Sequence, residues 1–159
     1  MLHLPFSHTV TLIIITIAIS LLAFSNQAVM NRLIFWPPAM QRGQYDRFIT
    51  HGFIHADGAH LLFNMITLFF FGNIIESFYR QFFYDMGFVL FYLGGLVVAI
   101  LPSYLKHRHD VHWASLGASG AVSAVLFAYI LFQPWNLIFV FFIPVPAIIF
   151  AVLYVAYSI

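Results

Sequence analysis

Five stretches of mostly apolar residues, each close to the length of a membrane-spanning helix, take up most of this sequence. A helix needs about 20 mostly apolar residues to cross the hydrocarbon core of a bilayer. Hydrophobic residues make up 63% of the chain and charged residues only 7%, against about 25% charged in ordinary globular domains. A chain of 159 residues cannot bury that much apolar side chain, because a small domain keeps a large surface. The sequence therefore predicts an all-α, polytopic membrane helical bundle.

The expected spans cover residues 9–24, 60–79, 86–104, 115–132 and 137–159, within a single membrane domain over residues 1–159. Pro144 and Pro146 interrupt the fifth span and are expected to kink its helix or delay its start. A long first loop, residues 25–59, joins the first two spans. Loops of this length are often functional. Because the fifth span is still apolar at Ile159, we expect the chain to be truncated.

Charge and cysteine content exclude several classes of function. The formal net charge is +1, so nothing indicates a nucleic-acid partner or an acidic substrate. Cysteine is absent, which excludes disulfides and thiolate chemistry within these residues.

The fourth span opens with a run of small residues. From Ala114 to Ala124, only Leu116 and Val122 are larger than serine. Small residues commonly let membrane helices pack closely, and packing alone is one interpretation of this run. The other interpretation concerns Ser119, which would lie in the first turn of a helix, beside free backbone N–H groups and the positive end of the helix dipole. A serine hydroxyl in that position could attack a carbonyl and the N–H groups could hold the resulting oxyanion.

Histidines and an asparagine recur at helical spacing before and within the second span. His51 and His55 are four residues apart, as are His60 and Asn64, so each pair would share one helix face. Three interpretations remain open. The residues could form interhelical hydrogen bonds, donate hydrogen bonds to a developing oxyanion, or bind a metal ion. For the metal ion, the segment HRHDVH adds the candidates His107, His109, Asp110 and His112.

Two of these segments together resemble the rhomboid family of intramembrane serine proteases. They are HGFIHADGAHLLFN, at the start of the second span, and GASG, at the head of the fourth. YDRFITHGFIH also resembles the end of the family's long first loop, and the whole resemblance runs from about Phe35 to Phe132. The resemblance implies hydrolysis of transmembrane segments of other membrane proteins within the lipid bilayer, without cofactor, metal or nucleic acid. It also implies a multi-pass integral membrane protein, in the plasma or inner membrane if the source is bacterial.

The resemblance also assigns roles to particular residues. Ser119 matches the nucleophile, and His60 and Asn64 match the side chains that form the oxyanion hole with the backbone N–H of Ser119. His51 and His55 match polar positions that help to shape a hydrated cavity, Gly120 matches a small residue that lets the fourth helix pack closely, and Arg47 matches the arginine of the family's Trp-Arg pair. Apart from the resemblance, Gly117 and Gly120 would let a substrate backbone approach Ser119.

The sequence departs from the family pattern at three points. Asp46 replaces the Trp of the family's Trp-Arg pair, and Ser123 stands where some members carry a tyrosine that stacks on the catalytic histidine. The family core has six spans with the base histidine on the sixth, whereas this chain has five and its last histidine is His112. We therefore expect the base beyond Ile159, and the 159-residue chain should not cleave by itself. The alternatives are a non-catalytic relative that binds transmembrane helices and a metal- or proton-handling membrane protein.

Basic residues give a conflicting orientation. Five of them fall on loops of one side, with Arg80 alone on the other; the five are Arg32, Arg42, Arg47, Lys106 and Arg108. The positive-inside rule would place those loops in the cytoplasm. The rhomboid resemblance implies a cytoplasmic N-terminus and hence the reverse, which is the orientation we adopt.

Overall fold

Three long apolar helices form the frame of the molecule. The computed structural model describes residues 7–83, 86–140 and 142–158. Helices α1 (His8–Ser25), α5 (Gly58–Phe82) and α6 (Gly87–His107) have 18, 25 and 21 residues, and each is long and apolar enough to cross a membrane. Two shorter apolar helices complete the set, α7 (Ser119–Phe132) and α8 (Ala147–Ser158). The expected all-α polytopic membrane bundle is confirmed.

The first loop contains several short helices. They are α2 (Gln27–Leu33), α3 (Pro37–Met40) and α4 (Arg47–Thr50), followed by one turn of 3₁₀ helix at His51–Phe53. Asn26 caps the N-terminus of α2, because its side chain accepts hydrogen bonds from two backbone N–H groups at the start of that helix. The loop therefore has a defined path across one end of the bundle.

Helix α7 begins later than the sequence pattern predicts, at Ser119 rather than at residue 115. The preceding residues are extended, because Ser115 exchanges two backbone hydrogen bonds with Phe35 of the first loop, at 2.9 and 3.0 Å. The backbone then turns at Gly117, whose φ is +112°. This correction places Ser119 at the first residue of the helix.

The fifth expected span also needs correction, because its first described residues are strands rather than helix. Strands β1 (Leu137–Val140) and β2 (Ile143–Pro146) pair as an antiparallel hairpin, and helix α8 begins only at Ala147. Pro144 and Pro146 explain the delay, since proline lacks the N–H that a helix interior requires and its ring collides with the preceding turn.

Helix α7 packs against both α5 and α6, and α1 packs against the other side of α5. A continuous apolar core runs between these helices and includes Leu68, Tyr92 and Val125, all fully buried. A second cluster of aromatic residues joins the first loop to the loop before α7. Its centre is Phe35, whose ring contacts Phe48, Tyr104 and Trp113.

Candidate active site

Ser119 is the first residue of α7 and its side chain is exposed. No side chain in the described part of the chain is hydrogen-bonded to its hydroxyl. The first N–H groups of a helix have no partner within that helix, and they carry the positive end of its dipole. The hydroxyl therefore lies beside groups that can stabilise negative charge.

The imidazole of His60 lies directly over Gly117, two residues before Ser119. A Cβ atom built on Gly117 would come within 2.7 Å of Cε1 of His60, a distance that real Cβ atoms do not reach. Only glycine leaves room for the ring there, and its positive φ also favours glycine. Asp57 fixes the backbone of His60, because its carboxylate caps α5 by accepting from the His60 N–H at 2.8 Å.

Asn64 lies one turn after His60 on α5 and is buried. Its Nδ2 donates to the backbone carbonyl of His60 at 2.9 Å. This bond uses one of the two amide hydrogens and leaves the other for a further acceptor. The two residues thus share the inner face of α5 at the level of the α7 N-terminus.

His55 ties helix α1 to the residue that precedes Ser119. Its Nε2 accepts from the N–H of Ala118 at 3.3 Å, and its Nδ1 lies 3.0 Å from the hydroxyl of Ser20. That hydroxyl in turn donates to the carbonyl of Phe53 at 3.0 Å. This pattern assigns the ring proton to Nδ1. Burial, reinforced by the neighbouring His60, lowers the pKa of His55 to about 4, so the ring is neutral at pH 7.

His51 anchors the same stretch one residue earlier. Its backbone carbonyl accepts from the N–H of Gly117 at 2.9 Å, and its ring Nδ1 donates to the carbonyl of Arg47 at 2.8 Å. Burial lowers the pKa of His51 and keeps its ring neutral as well. The resemblance implied that His51 and His55 shape a hydrated cavity. In the structure both are buried, and they hold the backbone in front of Ser119.

Arg47 organises the first loop. Its guanidinium is buried and donates to the backbone carbonyls of Asn31 and Ile34, while its Nε donates to the side chain of Gln44 at 2.8 Å. Asp46, which replaces the expected tryptophan, forms an exposed ion pair with Arg32 at 2.8 Å.

Gly120 accounts for the close packing of α7 on α6. A Cβ atom on Gly120 would lie 2.4 Å from the Cβ atom of Ala99. The two interpretations of the small-residue run therefore apply to different residues. Gly120 serves helix packing, whereas Gly117 makes room for His60.

Sequence reasoning did not single out Ser20 or Asp57. Asp57 carries a recognisable signal, since an aspartate just before an apolar helical run is a typical N-cap. Ser20 carries none, because a serine in a membrane helix gives no indication of a partner 35 residues away. As for a metal site, the described residues group no three histidine or acidic side chains closely enough to hold an ion.

Comparison with known proteins identifies the family. Residues 42–159 match the model of the Rhomboid domain. A mitochondrial RHOMBOID-like protein 12 from Arabidopsis thaliana is 32% identical over 142 residues, covering 81% of this chain and 42% of that protein. The rhomboid protease GlpG of an Enterobacter species is 29% identical over 126 residues, covering 77% of this chain and 41% of that protein.

A putative rhomboid protease of Bacillus subtilis, YdcA, is 30% identical over 88 residues, which cover 55% of this chain and 41% of that protein. The chain thus spans about two fifths of the length of the curated relatives it matches. Since the Rhomboid domain covers most of its residues, the chain is an integral membrane protein of the rhomboid family.

Proposed function

We propose that this protein is the core of an intramembrane serine endopeptidase in which Ser119 is the nucleophile. The observation that carries the proposal is the position of Ser119 at the first residue of α7, with the His60 ring over Gly117. Family membership supports the same reaction class. The substrate would be a transmembrane segment of another membrane protein.

The reaction we propose is acyl transfer followed by hydrolysis. The oxygen of Ser119 attacks the scissile carbonyl, and the oxyanion that forms accepts hydrogen bonds from the backbone N–H of Ser119, from the His60 ring and from Asn64. Among the described residues no group is bonded to the ring nitrogens of His60, so the ring is available to donate. When this intermediate collapses, the peptide C–N bond breaks and the amine leaves with the proton that the base took from Ser119. Water then hydrolyses the ester to Ser119, which releases the carboxylic acid and restores the serine.

The base that takes the serine proton belongs, in our proposal, to a histidine outside these 159 residues. A serine hydroxyl needs a base within hydrogen-bond reach before it can attack. His51 and His55 are engaged with backbone groups. Each ring is also buried, so neither is offered to Ser119.

A non-catalytic role in binding transmembrane helices is the alternative function. The observation that favours it is the Ser119 hydroxyl, which has no base in the described part of the chain. Such a protein would bind the same class of partner without cutting it, and loss of the hydroxyl would then change nothing.

Cleavage by the full-length protein separates the two functions. With a transmembrane substrate in vesicles, Ser119→Ala should abolish cleavage. Ser123→Ala is the matched control one turn later on α7, where the hydroxyl contacts that of Tyr154 at 3.3 Å, and it should retain activity. Asn64→Ala should lower the rate by about 10²-fold or somewhat less, because one oxyanion donor is lost. Full activity in Ser119→Ala would overturn the proposal.

A further inference from the structure

The hairpin between α7 and α8 presents an apolar surface that the bundle does not use. In β1, Ile138 is buried against the core and Phe139 points away, with 74% of its surface exposed. The pairing register places Pro144 opposite Phe139, and Pro146 opposite Leu137, on the same outward face. Every residue of that face is therefore apolar.

The turn of the hairpin carries the aromatic residue with the highest exposure among the described residues. Phe142 has 95% of its surface exposed and a φ of +69°. A bulky side chain in the left-handed region is strained, and this one gains no packing within the protein to offset the cost. Trp135, just before the hairpin, is also 78% exposed. No Asp, Glu, Lys or Arg follows Asp110 within these 159 residues, so the hairpin offers no charge to an oppositely charged partner.

The hairpin lies at the same end of the bundle as Arg80, a charged residue that we take to mark the membrane surface. The ring of Phe132, the last residue of α7, stacks on Phe78 of α5 with centroids 4.4 Å apart. Arg80 follows Phe78 by two residues, about 3 Å along the helix. A half-exposed guanidinium avoids the hydrocarbon core and lies among headgroups. The chain enters the hairpin at that same depth, opposite the end that carries Ser119.

The backbone of the hairpin also suits a place with little water. Residues at non-hydrogen-bonded positions of an antiparallel pair direct their N–H groups away from the partner strand. The register puts Pro144 and Pro146 at such positions, and prolines have no N–H to leave unsatisfied. The outer edge of β2 is therefore without donors at both positions, which also prevents the addition of another strand there.

We propose that this hairpin is an interfacial anchor that lies in the lipid headgroup region and inserts Phe139 and Phe142 among the upper acyl chains. Aromatic residues favour this zone of the bilayer. The outward face continues an exposed apolar surface on the last turn of α7, where Leu131 is exposed. At the depth that Arg80 marks, lipid is the apolar partner available to such a surface.

Spin labels can measure the depth of the hairpin in the full-length protein, because these 159 residues contain no cysteine and any cysteine outside them can be replaced by serine. Single cysteines replace Phe139, Phe142 and, as a polar reference at the end of α5, Gln81. In phosphatidylcholine vesicles the labels at the two hairpin positions should collide more with oxygen than with a water-soluble nickel complex. Their oxygen-to-nickel ratio should exceed that of the Gln81 label several-fold. Ratios equal to or below that of the reference would overturn the proposal.

A paired substitution tests whether lipid contact holds the hairpin in place. Phe142→Asn relaxes the backbone, because asparagine tolerates a positive φ, but it removes the apolar side chain. Phe142→Asn should lower the oxygen-to-nickel ratio of a label at position 139, whereas Phe142→Leu should leave that ratio unchanged. An unchanged ratio in Phe142→Asn would contradict the anchor. Dipolar broadening between labels at low protein-to-lipid ratio would also overturn it, since a second copy would then cover the face.

Discussion

At the scale of single residues, the two positions in front of Ser119 are held from different parts of the fold. Gly117 lies under His60 of α5 and donates its N–H to His51 of the first loop. Ala118 donates its N–H to His55. The start of α7 is thereby fixed against α5 and the first loop, and the position of the Ser119 hydroxyl depends on both.

Replacement of Gly117 by alanine should displace His60. The new Cβ atom would meet the His60 ring at 2.7 Å, so the ring must move away from the start of α7. We expect cleavage by the full-length protein to fall at least about tenfold, as for loss of an oxyanion donor.

Gly43→Ala is the matched control for this substitution. Gly43 also has a positive φ, +85°, but nothing lies within 4 Å of its Cβ position. Gly43→Ala therefore imposes the same kind of backbone strain as Gly117→Ala without moving the His60 ring, and its effect on cleavage should be small. Equal losses in both variants would show that backbone strain alone is responsible.

The stability of the fold should depend on the protonation of His55. Its pKa is about 4 in the folded protein, against an ordinary value of 6.5, so the unfolded chain binds the proton more tightly. The stabilisation is complete above pH 6.5 and is lost as the pH falls towards 4, with a total on the order of 3 kcal/mol. Thermal unfolding in detergent between these pH values measures it.

His55→Gln is the control, because glutamine does not titrate. The variant should show a shallower decline in the unfolding temperature on acidification. The lowered pKa of His51 leaves part of the decline in place. A decline identical to that of the unmodified protein would exclude His55 as its source.

At the scale of elements, helix α7 owes its central place to its small residues. It has only 14 residues, about 21 Å of helix, which is shorter than the hydrocarbon core of a bilayer. The helix therefore cannot reach both surfaces of the membrane. Close packing of Gly120 on Ala99 compensates for the small contact area of a short helix.

Gly120→Ala should destabilise the bundle by about 1–3 kcal/mol, because it overpacks the contact with Ala99. Adding Ala99→Gly to the same protein should restore most of the loss. Gly94→Ala on α6 meets nothing within 4 Å and should be neutral or slightly stabilising. Unfolding in a denaturing detergent measures the stability of all three variants. If the double variant does not regain stability, overpacking of Gly120 on Ala99 is not the cause of the loss.

The other end of the bundle is joined by a buried carboxylate. Glu76 of α5 accepts from the backbone N–H groups of His8 and Thr9, at 2.9 and 2.8 Å, and from the Thr9 hydroxyl at 2.7 Å. Arg80 lies 3.0 Å from the same carboxylate. The first free N–H groups of α1 are thus satisfied by a neighbouring helix, which links α1 to α5 far from Ser119.

At the scale of the whole molecule, apolar segments predicted a membrane bundle, and its helical architecture follows from them. Part of the candidate site could also be predicted, because Ser119, His60 and Asn64 lie in two short segments, GASG and HGFIHADGAHLLFN. Contacts between distant segments were not predictable. The bond from Ser20 to His55 and the bridge from Phe35 to Ser115 leave no periodic signal in the sequence.

The hairpin shows the limit of reasoning from hydrophobicity alone. Residues 137–159 are apolar throughout, and length favoured a single helix. The two prolines indicated an interruption, but only the pairing of Leu137–Val140 with Ile143–Pro146 shows what replaces the helix. Apolar strands and apolar helices are not distinguished by composition.

Covalent labelling of the full-length protein with a fluorophosphonate tests the central claim most directly. Mass spectrometry of the digested protein should find the adduct on Ser119. The 159-residue chain alone should give none, because we propose that the base is a histidine outside these residues. A full-length protein that cleaves its substrate while Ser119 stays unlabelled and another serine carries the adduct would contradict the account.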